Sequence, residues 1–469
     1  MPWSSFSLSH KDIPLRCEVV IVGGGVAGAS AAYHLKNAGV RDIVVLETGK
    51  CGNGGHDAII APPHAVLRAG DDPGGVFVHA QRSGSAVIAS ADNGSDAGQI
   101  KMMLQALPTS AEEFISCNGF EGARRYLSLA SKGIALQMGI AKQVLPRPGE
   151  QMRALGSIYV GTPADRAELQ KEFETLSQLG ADAIEFWEEE RVAAACGADS
   201  GFTCAIFFKN DGVINSAEYA RGLLRWCSET SSLDNQVRVY EGCAPVNSVS
   251  TFDNHAITCF CDGSRICSSY VVMATGGLFT EASLSGILQP SWSYLISVPI
   301  PPQSLSSDND RHMNHANSPN FFTWGYSHDW CMTGGFFRLS GEDGFSALKP
   351  PRAGEKISNL VKWTRSKFPH LETGIEKMTS SYGVLSSTPD HVPIVGTPAP
   401  SSRVAYVLGC NASGQASLSY GASLMPAILG YKPFTLEQKD LFLLLDIRRF
   451  ALLPAVNADA QTISRGSKL

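Results

Sequence analysis

The sequence is short of charge. Asp, Glu, Lys and Arg make up 17% of its 469 residues, and 38 Lys and Arg stand against 44 Asp and Glu, a formal net charge of −6. Without a basic excess there is no extended surface for a phosphate backbone, so no nucleic-acid partner is expected. There is no apolar run of the roughly 18 residues that a membrane span needs. The richest stretch, residues 441–456, is broken by Asp446, Arg448 and Arg449. The N-terminal MPWSSFSLSHKDIPL lacks the apolar run of a signal peptide. The 12 cysteines are spread over a long chain that opens without such a run, so they read as thiols of a reducing compartment; no CxxC pair occurs among them. Cys259, Cys261 and Cys267 cluster in ITCFCDGSRICSS, where i,i+2 spacing merely places two side chains on one face of a strand. His312 and His315 fall in the turn-rich stretch IPPQSLSSDNDRHMNHANSPN, which reads as a solvated loop; no metal is expected.

What the chain does have is apolar content, 44%, and 46 glycines. Its length suits two domains, or one core with a large second lobe. Residues 18–23, EVVIVG, form a buried-strand pattern that runs into Gly23, Gly24, Gly25, Val26, Ala27 and Gly28. A helix-compatible stretch follows to Gly39, and a second strand, DIVVLE, ends at Glu47. In such a unit the first glycine permits a tight turn, the second lets backbone approach a pyrophosphate, and the third lets helix and strand pack closely. The helix N-terminus supplies N–H groups and a positive dipole end. Glu47, nineteen residues after Gly28, stands where an acid binds both ribose hydroxyls and would repel a 2′-phosphate.

A lone GxGxxG carries little weight; the strand–glycine–helix–strand–acid unit carries much more. On its own it does not separate FAD from NAD. There is no second GxGxxG, so the chain takes either one NAD or one flavin reduced directly by substrate. A further strand-to-turn stretch, VVMATGG at 271–277, would also let backbone approach a nucleotide.

Four collinear stretches resemble the FAD-dependent amine oxidoreductase family of D-amino-acid oxidase, glycine oxidase and sarcosine oxidase. The first is CEVVIVGGGVAGASAAYHLKNAG with VVLE. NDGVINSAEYARGLL, VRVYEGCAPVNSV and YVVMATGG make the second, WCMTGGFFRL the third, and SSTPDHVPIVG with YVLGCNASGQASLSYGASLMPAIL the fourth. The resemblance implies an α/β fold: a dinucleotide-binding, Rossmann-like FAD domain interleaved with an α+β substrate domain built on a mixed sheet. The FAD domain would take residues 14–95, 205–282 and 383–435, and the substrate domain 96–204 and 283–382. Residues 436–469 would form a C-terminal helix and flexible tail. Within the substrate domain, residues 166–179 keep Leu169, Phe173, Leu176 and Leu179 near one helical face.

Carried over residue by residue, the resemblance assigns Gly23, Gly25, Val26, Ala27, Gly28 and Glu47 to FAD. Asn53, Gly54 and Gly55 resemble the loop between pyrophosphate and flavin ring. Val246 matches a position whose backbone meets the adenine, and Ala274, Thr275 and Gly276 match the second nucleotide turn. Gly409, Gly414 and Gln415 resemble the loop against the flavin pyrimidine edge, whose N–H groups would stabilise negative charge on the reduced ring. The family usually has another glycine where Ala412 stands. The cysteine that tethers FAD in monomeric sarcosine oxidases, five positions before the TPD triplet, is Gly383 here, so that tether is impossible and the flavin is expected to be released by acid precipitation; the alternative is a tether through His56, which sits near the loop where some relatives use a histidine.

The activity implied is oxidation of a carbon–nitrogen bond of a small amine or amino acid by hydride transfer to flavin, with dioxygen as acceptor and hydrogen peroxide as product. A substrate carboxylate calls for an arginine fork: Arg68 in HAVLRAG, or Arg338 in GGFFRL. Tyr382 and His56 could line the reacting face. The alternatives are a flavin-dependent dehydrogenase with another acceptor, an NAD-dependent dehydrogenase, or a non-catalytic flavin-binding protein. Ser467, Lys468 and Leu469 read as a peroxisomal address, which makes an import receptor an expected partner and the peroxisomal matrix the expected location.

Overall fold

The computed structural model describes residues 7–9, 12–52, 102–232, 234–277, 284, 286–300, 320–323, 328–333, 336–342 and 353–452. Asn53, Gly54, Gly55, His56, Arg68, His312, His315 and Ser467, Lys468 and Leu469 lie outside them.

The chain opens with β1 (Ser7–Ser9), β2 (Arg16–Val22), α1 (Val26–Asn37) and β3 (Asp42–Leu46). Val19–Val22 and Ile43–Leu46 are almost wholly buried, as expected of strands covered on both faces, and β2 pairs with β3 in parallel. The chain then crosses to a second lobe through β4 (Met102–Met103), α2 (Ala111–Val144), β5 (Met152–Arg153), β6 (Ser157–Gly161), α3 (Arg166–Gln178), β7 (Ile184–Glu188), β8 (Cys204–Phe208) and β9 (Gly212–Ile214). It returns through α4 (Ser216–Glu229), β10 (Gln236–Glu241), β11 (Val246–Thr251), β12 (Ala256–Phe260) and β13 (Arg265–Met273). A second excursion makes β14 (Gln289–Pro299), β15 (Asn320–Thr323), β16 (Asp329–Thr333), β17 (Phe336–Glu342), α5 (Ala353–Lys367) and β18 (Thr379–Ser387). The last return gives β19 (Ile394–Gly396), β20 (Val404–Leu408), α6 (Gly414–Ser423) and α7 (Leu436–Leu445).

The first sheet has 9 strands in the order β1-β10-β3-β2-β13-β12-β11, with β20 beside β13 and β19 on β20. Its larger part is parallel: β1, β10, β3, β2, β13 and β20 all run the same way. The second sheet has 8 strands, β18-β14-β17-β16-β15-β6-β8-β7; it is mixed, because β15 lies parallel to β6 while its other pairs are antiparallel. An α/β fold with a parallel-dominated sheet and a second mixed sheet is thus what the chain forms.

The handovers between lobes differ in detail from the expected boundaries. Positions 205 and 383 fall inside β8 and β18, and both strands pair within the second sheet. An apolar strand does not reveal in its own sequence which sheet will take it. The long α2, assigned to the substrate lobe, packs against the first lobe. Gly133 lets it approach α6 so closely that a Cβ there would lie 2.2 Å from the Ala416 carbonyl oxygen. Tyr126, Leu127 and Ile134 share a core with Leu35 and Ala422. Cys259 and Cys267 sit on the paired strands β12 and β13.

In α3, Leu169, Leu176 and Leu179 are buried and Phe173 half-buried, as the periodicity requires. Glu172 is buried with them, and its two carboxylate oxygens accept from the Ala111 N–H, at 3.0 and 2.9 Å, at the start of α2. A second buried acid, Asp211, pins the small sheet β4-β9-β5. It accepts from the Gln105 N–H at 2.7 Å and from the Ser157 hydroxyl, while its own carbonyl accepts from the Gly156 N–H. Burial pushes the Asp211 and Glu172 carboxyls up to about 7. A raised carboxyl pKa means that the folded state holds a proton the unfolded chain has released. Stability should therefore fall as pH rises from about 4 to about 7. Asp211→Asn should flatten that slope in denaturant titrations at a series of pH values; an unchanged slope would show that Asp211 is not its source.

Candidate functional site

The parallel strands β2, β3, β10, β13 and β20 end at one edge of the first sheet, at Val22, Leu46, Glu241, Met273 and Leu408. In open α/β sheets ligands bind in the crevice outside these carboxyl ends. Four of the predicted segments follow directly: Gly23–Gly28, Glu47, Ala274–Gly276 and Gly409–Gln415.

The three glycines of the first turn do three different things. Gly23 has φ 111°, and a Cβ there would lie 2.3 Å from the Ala274 carbonyl oxygen. Gly28 lets α1 settle on the turn, since a Cβ would lie 1.9 Å from the Gly23 carbonyl oxygen. At Gly25 φ is −74° and a Cβ would meet nothing within 4 Å among the described residues. The protein itself does not demand glycine there, and the open space lies at the N-terminus of α1, which no side chain caps. Val26 and Ala27 form the first turn of that helix, half-buried.

Glu47 ties the surrounding turns together. Its Oε2 accepts from the Gly24 N–H at 2.8 Å and its Oε1 from the Gly49 N–H at 2.9 Å. Oε1 also accepts from the Thr48 hydroxyl at 3.3 Å, while Oε2 keeps a lone pair for a hydroxyl donor. Glu241, at the matching end of β10, escaped the sequence reading. It is 7% exposed, accepts from the Cys51 N–H at 2.7 Å and pairs with Lys50 at 3.0 Å. Arg221 Nε donates to the Cys51 carbonyl at 2.9 Å. Together they fix residues 50–52, from which the chain leaves toward Asn53. An acid at the carboxyl end of a parallel strand, where Glu47 follows β3, is the available signal for Glu241.

In the Ala274–Gly276 turn, Gly276 has φ 62° and its carbonyl accepts from the Ser386 hydroxyl at 3.1 Å. The Thr275 hydroxyl is buried with no partner among the described residues. Val246 opens β11 and packs on the apolar cluster that holds Val22, Leu46 and Cys243.

The last segment departs from ordinary backbone at Gly409, φ 77°, Asn411, φ 48°, and Ala412, φ 63°. Where related chains would use glycine, Ala412 takes the left-handed region with a Cβ, at a cost of about 1–2 kcal/mol. Asn411 supports it: its Oδ1 accepts from the Thr388 N–H at 2.8 Å, and its Nδ2 donates to the Gly409 carbonyl at 3.0 Å. Gly414 then starts α6, whose N-terminus also lacks a side-chain cap. Gln415 Oε1 accepts from the Ser216 hydroxyl at 3.1 Å, while its Nε2 is buried and unpartnered among the described residues.

Of the candidates for the reacting face, Arg338 and Tyr382 lie among the described residues. Position 338 in β17 lies opposite Ser297, and position 382 in β18 opposite Tyr294, both on β14. Residues three apart on a strand fall on opposite faces, so the register separates Arg338 from Tyr382. Position 382 shares the face of Tyr294 and Ile296, which is buried with Leu360 of α5. Position 338 shares the face of Ser293 and Ser297. Gly383 lies opposite Ser293, and His56 and Arg68 lie outside the described residues.

Residues 18–425 match the family model described as FAD dependent oxidoreductase, DAO. A 46-residue stretch is 48% identical to 4-methylaminobutanoate oxidase (formaldehyde-forming) of Paenarthrobacter nicotinovorans, covering 10% of this chain and 6% of that protein. The match to this curated relative therefore spans far less than two thirds of its length. The fold is similar to that of glycine oxidase from Geobacillus kaustophilus, with a TM-score of 0.63 at 16% identity over 90% of this chain and 96% of that one. It is also similar to that of L-alpha-glycerophosphate oxidase from Mycoplasma pneumoniae with FAD bound, with a TM-score of 0.60 at 12% identity over 89% and 95%.

Proposed function

The chain belongs to the FAD-dependent oxidoreductase family, and from that premise we propose that it oxidises a carbon–nitrogen bond of a small amine or amino acid, with dioxygen as acceptor and hydrogen peroxide as product. The residues at the carboxyl edge fit FAD. The observation that carries this reading is the pair of helix N-termini, α1 and α6, at one sheet edge, uncapped among the described residues, together with two buried polar atoms, Thr275 Oγ1 and Gln415 Nε2, that have no partner among them. The open space at Gly25 and the N-terminus of α1 suit a pyrophosphate, Glu47 a ribose, and the start of α6 an electron-rich ring edge.

When bound, FAD supplies a ring that accepts a hydride from carbon. The chain supplies the rest. Donors at the start of α6 favour negative charge there and are fixed in advance by Asn411 and Thr388, so they need no reorganisation during reaction. A guanidinium, from Arg338 or Arg68, would clamp a substrate carboxylate and aim the neighbouring carbon. The site must take the amine with its nitrogen lone pair free. Names given to relatives, glycine oxidase and 4-methylaminobutanoate oxidase, support an amine; glycerophosphate oxidase marks the competing class.

The test is an anaerobic panel of amines, amino acids and hydroxylated compounds added to the purified yellow protein. Bleaching by an amine and not by the hydroxylated set is expected, followed on admitting air by recolouring and peroxide. Recolouring only with an artificial acceptor would replace the oxidase by a dehydrogenase, and bleaching by a hydroxylated compound alone would reject the amine. We also propose that Ser467, Lys468 and Leu469 direct the protein to peroxisomes. Deleting them should leave turnover intact and move a fluorescent fusion to the cytosol; unchanged import would place the address elsewhere.

A further inference from the structure

The segment after α7 lies beyond residue 425, where the family match ends, yet it reaches back to the candidate flavin loop. Arg449 is the contact. Its Nε meets Asp390 Oδ2 at 2.6 Å and its Nη2 meets Asp390 Oδ1 at 3.2 Å. Nη2 also donates to the Val392 carbonyl at 2.6 Å, and Nη1 to those of Pro393 at 3.2 Å and Leu445 at 2.8 Å. One planar fork thus fixes residues 390–393 against the end of α7. The pair is largely shielded, with side-chain exposures of 16% and 15%.

The fixed turn is wired to the left-handed loop. The Thr388 hydroxyl donates to the Val392 carbonyl at 2.9 Å, and the Thr388 N–H donates to Asn411 Oδ1 at 2.8 Å. Asn411 and Ala412 are the two non-glycine residues with positive φ that lead into α6. Such backbone persists only where its surroundings hold it. We propose that Arg449 is a positioning residue that, through Asp390, Val392, Thr388 and Asn411, holds the 409–414 loop in the geometry that aims the α6 N-terminus at the flavin.

The proposal rests on the reading of residues 409–414 as the loop at the flavin edge. Its test is the midpoint potential of the bound flavin in Arg449→Met and Asp390→Asn, each checked by circular dichroism and FAD content. A loosened loop stabilises negative charge on the reduced ring less well. Both variants should shift the equilibrium toward oxidised flavin by about tenfold, which is about 30 mV more negative for a two-electron couple. A field effect alone would move them in opposite directions, because one loses a positive and the other a negative charge. Arg449→Lys keeps the charge without the fork and should recover only part of the shift. If Arg449→Met sheds its FAD, Asp390→Asn, which keeps the size and shape of the side chain, carries the measurement. Unchanged or opposed potentials in folded, FAD-loaded variants overturn the proposal. Asn411→Ala separates the two failures. A shift there with none in the others leaves the loop reading standing and removes Arg449 from it; no shift in any of the three removes the loop reading too.

Discussion

A Gly25→Val protein is expected to fold and to emerge from purification colourless. The expectation combines two features of one position. Gly25 has φ −74°, open to a branched residue, and a Cβ there meets nothing within 4 Å among the described residues, so none of their contacts is lost by the change. The space the valine would fill lies against the uncapped start of α1, where the reading places the pyrophosphate. The affinity for FAD should fall by about a hundredfold or more, close to 3 kcal/mol, with a thermal transition like that of FAD-stripped wild type. Gly28→Ala is the contrasting case. Its Cβ would lie 1.9 Å from the Gly23 carbonyl oxygen, so loss of FAD there should come with loss of the folded turn. A Gly25→Val protein with a full complement of FAD would reject the placement.

The second large effect is on rate. A carbon gives up a hydride readily only when the adjacent nitrogen has a free lone pair, and most amines are ammonium ions at neutral pH. The observed rate of flavin reduction should therefore rise about tenfold per pH unit below the controlling pKa and then level off. Stopped-flow reduction across pH, with whichever amine bleaches the flavin, reads this directly. A rate that falls with pH over the stable range would favour a hydroxylated substrate, which has no ammonium proton to lose.

The parts of this account legible in the sequence are those written in local spacing. Gly23, Gly25, Gly28 and Glu47 belong to one strand–helix–strand unit, and Leu169, Leu176 and Leu179 to one helical face. Periodicity and turn chemistry act over such distances. The alternation of sheets is legible only through order along the chain, and positions 205 and 383 fall inside β8 and β18 because the partner of a strand is set by topology. Glu241 supports the turn at Cys51 from 190 positions away. Arg449 reaches Asp390 across 59, and Glu172 reaches Ala111 across 61. No local pattern marks such pairs. The left-handed Ala412 is marked only by the glycine that the family usually has there: its own residue type argues against that backbone, and the bonds around Asn411 make it tenable. Arg338 and Tyr382 show the converse limit, since each has suitable chemistry but the register of β14 sets them on opposite faces.

The central claim is that the electrons leave the carbon bonded to nitrogen. Its most direct test is anaerobic flavin reduction by the bleaching substrate carrying deuterium on that carbon, compared with the same compound labelled one carbon further away. The account predicts slower reduction with the first label and an unchanged rate with the second. An unchanged rate with the first label and slowing with the second would place the oxidised bond elsewhere and contradict it.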